Sequence, residues 1–184
     1  MTFRRFKKQI TSLLQAPSLG QILPAVTRMP ARQTISPLFS LLCHGQEEIR
    51  WRAVSALGAV VAHLADQDLS AARVCMRRLM WQLNDESGGI GWGAPEAMGE
   101  IMAQHKTLAE EYAPILISYL APWGNYLEHE PLQQGALWAL GRLSHYRPQL
   151  VKPAAPLLAP FLKSPQAPLR GLAAWAAGPI LTVD

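Results

Sequence analysis

The sequence predicts an all-α solenoid, a stack of helical pairs in which each pair packs mainly on its neighbours. Three observations carry this. A seven-residue stretch recurs four times: Arg52-Ala53-Val54-Ser55-Ala56-Leu57-Gly58, Gly93-Ala94-Pro95-Glu96-Ala97-Met98-Gly99, Gly135-Ala136-Leu137-Trp138-Ala139-Leu140-Gly141 and Leu172-Ala173-Ala174-Trp175-Ala176-Ala177-Gly178. Each copy has Ala five residues and two residues before its Gly. The glycines (58, 99, 141 and 178) stand 41, 42 and 37 positions apart, and a period of about 40 marks stacked helical repeats. A second motif also aligns: Pro37-Leu38-Phe39, Pro114-Ile115-Leu116 and Pro156-Leu157-Leu158 each open a run of apolar residues at helical spacing.

In chain order, Phe3 to Gln15 and Leu19 to Thr27 read as a helical pair capping the stack. The first member of each following pair carries the Pro, expected in the helix's first turn, where its missing N–H has no intrahelical partner. The second repeat replaces this with an amphipathic helix over Ala71 to Leu83, marked by Val74, Cys75, Leu79, Met80 and Leu83. Pro160 falls inside the last outer helix and predicts a kink or an early end there. The expected organisation is one domain over 1–184: an N-terminal helical extension at 1–32, repeats at 33–66, 67–106 and 107–146, and a fourth repeat with the C-terminal cap at 147–184.

Composition sets further bounds. A chain of 184 residues can bury about 70% of its unfolded surface. With 49% hydrophobic and 16% charged residues it is not an intrinsically disordered protein. No apolar run approaches the ~20 residues that span a bilayer. The basic start, Met1 to Lys8, is followed by apolar pieces interrupted at Gln9, Thr11 and Gln15, so no signal-peptide core forms. Cys43 and Cys75 sit in apolar helical patterns and are expected as buried thiols in a reducing compartment. A cytoplasmic protein is expected. The net charge of +4 is uneven: four of the seventeen basic residues are Arg4, Arg5, Lys7 and Lys8, whereas the carboxylates gather in the middle of the chain. Nucleic-acid binding needs a continuous basic track, and none is present; no nucleic-acid or membrane partner is expected.

The Ala-x-x-Ala-Leu-Gly core, the arginine before it in the first copy and the Pro opening several partner helices resemble HEAT repeats. More narrowly, they resemble the short bacterial kind known as PBS-lyase-like HEAT repeats, over roughly residues 33 to 184. Copies two to four lack the arginine, and Ala177 replaces the Leu before Gly in copy four, consistent with a terminal repeat. The resemblance implies a short right-handed solenoid of about four repeats, its second helices lining a concave surface. Such repeats mostly build binding surfaces and only occasionally enzymes.

Helical phase separates core from surface. With the Gly at zero and about 100° per residue, the positions five, two and one before it and two after it share a side. These are Ala53, Ala56, Leu57 and Val60; Ala94, Ala97, Met98 and Ile101; and Ala136, Ala139, Leu140 and Leu143. Away from them, equivalent positions line up across repeats as Ser55–Glu96–Trp138–Trp175 and Ala59–Glu100–Arg142. Carboxylates beside tryptophans and an arginine suit a protein-binding strip, because Trp and Arg anchor interfaces most often. Two bland alternatives stand beside this: the tryptophans roof a gap between helices, and Glu100 with Arg142 forms a surface pair.

The segment Asn84 to Gly93 adds four glycines and a tryptophan. It has no Walker spacing and no preceding strand. Asp85, Glu86 and Glu96 make it acidic, which suits a basic partner or a divalent cation; a ligand-free insertion serves as well. The candidate binding residues are therefore Asp85, Glu86, Trp92, Glu96, Glu100, Trp138, Arg142 and Trp175. No catalytic set, metal site or cofactor is expected: His129-Glu130 is a solitary pair, Cys43-His44 are merely adjacent, and HExxH and CxxC are absent. The favoured function is a non-enzymatic protein-binding scaffold or adaptor. The alternative is a HEAT-like enzyme or nucleic-acid-directed protein, similar to repeat-built DNA glycosylases, using the Gly-rich loop and the tryptophans.

Overall fold

The computed structural model describes residues 3–84 and 91–182, and all regular structure among them is helical. The N-terminal pair is α1 (Phe3–Leu14) and α2 (Leu19–Thr27). In α1 the i, i+4 residues Phe6, Ile10 and Leu14 form the buried stripe. Four pairs follow: α3 (Ala31–Leu41) with α4 (Glu47–Gln67); α5 (Leu69–Leu83) with α6 (Ala94–Gln104); α7 (Lys106–Ser118) with α8 (Glu130–Ser144); and the broken outer segment α9 (Pro148–Val151), a 3₁₀ turn (Lys152–Ala154) and α10 (Ala155–Leu162) with α11 (Ala167–Leu181). No helix among the described residues is long and apolar enough to cross a membrane.

Local chemistry sets where the helices begin. The Asp68 carboxylate accepts from the Ala71 N–H and caps α5, and His105 Nδ1 accepts from the Leu108 N–H at the start of α7. Glu47 and Glu48 occupy the first turn of α4, where carboxylates meet the positive end of the helix dipole. Gly93, the residue before α6, has φ +76°, and a Cβ there would also press on Leu42; this corner requires glycine.

The second helices form a continuous inner layer, α4 on α6, α6 on α8 and α8 on α11, with α2 extending it at one end. The outer helices α5 and α7 pack less extensively on one another. Tight spacing on one side and loose spacing on the other curves the stack toward the inner layer. Every core position predicted from phase is buried to 2% exposure or less. The repeat glycines explain the tightness. A Cβ on Gly58 would come 2.7 Å from the Glu100 Cβ, and one on Gly99 would come 2.6 Å from the Ala139 Cα, so these helices approach backbone to backbone.

Two expectations need correction. Pro37 and Pro114 do not open their helices but lie inside α3 and α7. The helices start at Ala31 and Lys106, earlier than the Pro motif suggests, because upstream residues such as Thr34, Leu108 and Ala109 find buried seats. Burial there outweighs the roughly 3 kcal/mol an internal Pro costs. Cys43 is exposed, two residues beyond the end of α3, whereas Cys75 is buried as expected. The last outer helix does end early, two residues after Pro160.

Candidate functional site

On the inner face, the beginnings of α4, α6 and α8 surround a cavity of about 250 Å³. Trp51, Arg50 and Glu47 line it from α4, Trp92, Gly93 and Glu96 from the start of α6, and Leu132, Gln134, Gly135 and Trp138 from α8, with Leu172 of α11 at its edge. Trp51 and Trp138 meet at 5.0 Å between ring centroids, although α6 lies between their helices in the stack. The rings can do so because α6 begins only at Ala94. The aromatic line continues from Trp138 to Trp175 at 6.2 Å and ends where Trp175 stacks on His145 at 5.1 Å.

Glu96 is the charged centre of the cavity wall. Its carboxyl lies against the backbone of Gly135, where a Cβ would come within 2.8 Å of Oε2 and 3.0 Å of Oε1. Gly135 is thus the seat of a carboxyl group. Oε2 is covered by protein and accepts no hydrogen bond. Burial pushes the Glu96 carboxyl up to about 7, against the opposing pull of its own backbone N–H and of Arg50. Arg50 itself pairs with Glu47 at 3.7 Å, and Glu47 also accepts from Trp51 Nε1 at 3.3 Å.

The structure separates the remaining candidates. Glu100 and Arg142 do pair, at 3.0 and 3.3 Å, but Glu100 is buried and also accepts from Gln104 Nε2. The Arg142 guanidinium further rests 4.4 Å from the Tyr146 ring centroid. This pair ties α6 to α8 and engages both charges, with Glu100 buried and Arg142 27% exposed. Arg52, the other cation of the predicted rows, donates to the Leu14 carbonyl at 2.7 Å and pairs with Glu48 at 2.6 Å. Trp175 is partly exposed and covers Gly141, whose missing side chain leaves room for the ring. Trp92 is 42% exposed at the cavity mouth. Asp85 and Glu86 lie outside the described residues. Among the described residues no group of three or more His, Cys, Asp or Glu side chains could hold a metal ion.

Sequence reasoning missed Trp51, Arg50, Glu47, Leu132 and Gln134. A signal for two of them was present. Trp51, Trp92 and Gln134 all stand seven residues before their repeat Gly, about 20° from it on the helical wheel and about 40° from the Glu96–Trp138 position. The repeat motif extends one residue further toward the N-terminus than its seven-residue core. A larger groove of about 460 Å³ lies on outer elements between Trp123, Tyr126, Pro156 and Phe161. Among the described residues its lining holds one cation, Lys163, and no carboxylate, and the Gln133 amide there already donates to the Tyr126 hydroxyl.

Residues 130–176 match the family described as HEAT-like repeat. An uncharacterized protein of Archaeoglobus fulgidus is 33% identical over 88 residues, covering 48% of this chain and 45% of that protein; the chain thus spans less than half the length of this curated relative. An engineered protein of known structure superposes with a TM-score of 0.55 at 17% identity, over 98% of this chain and 80% of that one. A designed armadillo repeat protein in complex with the peptide (KR)4 gives 0.51 at 19% identity, over 93% and 80%. A computationally designed armadillo repeat protein for modular peptide recognition gives 0.51 at 20% identity, over 92% and 80%. These likenesses speak to fold. With the packed inner layer and the repeat glycines, they make this chain an α-solenoid of helical repeats, of which residues 130–176 match the HEAT-like kind.

Proposed function

We propose that the chain is a non-enzymatic protein-binding scaffold of the cytoplasm, and that its inner-helix groove is the contact surface. One observation carries the reading: the line of partly exposed rings Trp51–Trp138–Trp175 crosses the inner layer beside the Trp92 cavity. Large rigid aromatic side chains lose little conformational entropy when a partner covers them, and they dominate binding energy at interfaces. Repeat architecture adds a rigid platform, so little ordering is required on binding. The likeness to designed armadillo proteins, one of them in complex with a peptide, supports an extended peptide segment as the bound element. The Ala-x-x-Ala-Leu-Gly cores of copies one and three support grouping these repeats with the PBS-lyase-like kind.

The test is retention from native lysate on immobilised wild type beside Trp92→Ala and a Trp138→Ala/Trp175→Ala double variant, followed by binding of the identified protein in purified form. We expect one or more proteins retained by wild type and lost from both variants, while each variant keeps a cooperative melt. Identical retention by all three baits rules the groove out as the interface. Unfolding of the double variant would mark Trp138 and Trp175 as core, and Trp92→Ala then decides alone.

A further inference from the structure

We propose that the cavity between α4, α6 and α8 receives a lysine or arginine side chain of the partner, its cationic head meeting the Glu96 carboxyl and its stem lying on the Trp51, Trp92 and Trp138 rings. The proposal rests on the reading of the groove as a protein-binding surface and names the chemistry of the occupant.

Size is the first argument. At about 250 Å³ the cavity falls below the roughly 300–1,000 Å³ of small-molecule and cofactor sites, and suits a single side chain. Charge is the second. Arg50 is held by Glu47, and the Gln134 amide donates to Glu130. Glu96 alone among the described charged groups of the cavity wall has no ion-pair partner, and since its Oε2 is covered by protein, the occupant's head meets Oε1. An anionic occupant would face two carboxylates and one cation already engaged. An aliphatic occupant would cover the Glu96 carboxyl further and supply no donor. A basic side chain answers both requirements, since its methylenes cover apolar surface while its head keeps polar company. The rings are the third argument, because tryptophan faces attract ammonium and guanidinium groups better than other aromatics do. Long-range attraction plays no part: the chain carries a net charge of +4 and repels a basic peptide at a distance. Recognition therefore has to be local.

The occupant requires Glu96 ionised. Among the described residues, the charged groups facing Glu96 across the cavity are Glu47 and Arg50 of α4, whereas α8 and α11 contribute only uncharged residues there. With the Glu96 carboxyl raised to about 7, binding strengthens between about pH 6 and pH 8 and loses that dependence in Glu96→Gln.

The experiment titrates the full chain with the peptide (KR)4 and with a neutral counterpart of norleucine and citrulline, following tryptophan emission and heat at about pH 8. We expect wild type to bind (KR)4 at least about tenfold more tightly than the neutral peptide. Glu96→Gln should bring (KR)4 down to the neutral level, and Glu48→Gln, which removes a carboxylate outside this cavity, should leave it unchanged. Absence of (KR)4 binding to wild type, equal binding of both peptides, or (KR)4 binding that survives Glu96→Gln each overturns the proposal. If it is overturned while the lysate partner still depends on Trp92, the groove remains an interface with a different occupant. Loss of both results removes the scaffold reading as well.

Discussion

A carboxyl group with one oxygen covered by protein and short of donors costs folding free energy once it ionises, and Glu96 is in that position. Its value of about 7 lies above the ordinary 4.5. Between those values the native state holds more protons than the unfolded state, so this group's contribution to stability falls as pH rises from about 4.5 to about 7 and is level above. Glu96→Gln should therefore match wild type near pH 4.5 and exceed it at pH 8 by on the order of 1–2 kcal/mol. Urea midpoints at the two pH values check this, and a gap that is the same at both would refute it. The Glu100–Arg142 pair predicts an asymmetry. Arg142→Met strands a buried carboxylate, which retains only Gln104, whereas Glu100→Gln leaves an arginine that is 27% exposed and can reach water. Arg142→Met should cost about 2–4 kcal/mol, the larger loss of the two. Thermal melts of both variants decide the order.

At the scale of the helix, glycine has opposite values at different places in one repeat pattern. A Cβ at position 99 meets the Ala139 backbone at 2.6 Å, so Gly99→Ala must push α6 from α8 and should cost about 1–3 kcal/mol. Gly171 lies within α11 with nothing in reach of an added Cβ; Gly171→Ala should stabilise by about 0.5–1 kcal/mol through helix propensity. Denaturant unfolding of the pair tests the signs, and two changes of the same sign would contradict the packing described. Helix limits were legible in the sequence where apolar helical periodicity ran close to the ends, as for α1, α2 and α5. They were misplaced where a Pro motif was read as a start, because helix length there is set by tertiary burial, which local sequence does not show. The same holds for Cys43, whose apolar neighbours Leu41 and Leu42 suggested a buried helical seat that the chain leaves one turn too soon.

For the molecule as a whole, each inner helix is supported by its neighbours, so protection should follow position in the stack. Amide exchange should be slowest in α6 and α8, which are flanked on both sides by inner helices, and fastest in α1 and the last turn of α11. Uniform protection across all inner helices would mean that the stack opens only as one unit. Repeat number, core positions and the Glu96–Trp138–Trp175 alignment were all readable from the spacing of four glycines, because periodic packing repeats the same environment. The cavity was only half readable. Its walls combine residues from four repeats at several motif positions, and the reach of Trp51 over the short start of α6 depends on where a neighbouring helix begins.

That reach has an optical consequence. Indole rings whose centroids lie 5.0 and 6.2 Å apart are close enough for their electronic transitions to couple, and the coupling depends on separation and mutual tilt. Trp51, Trp138 and Trp175 belong to the first, third and fourth of the paired repeats, so any bending of the stack changes both quantities. The near-ultraviolet circular dichroism of the protein is thereby a built-in gauge of its curvature, readable without a label.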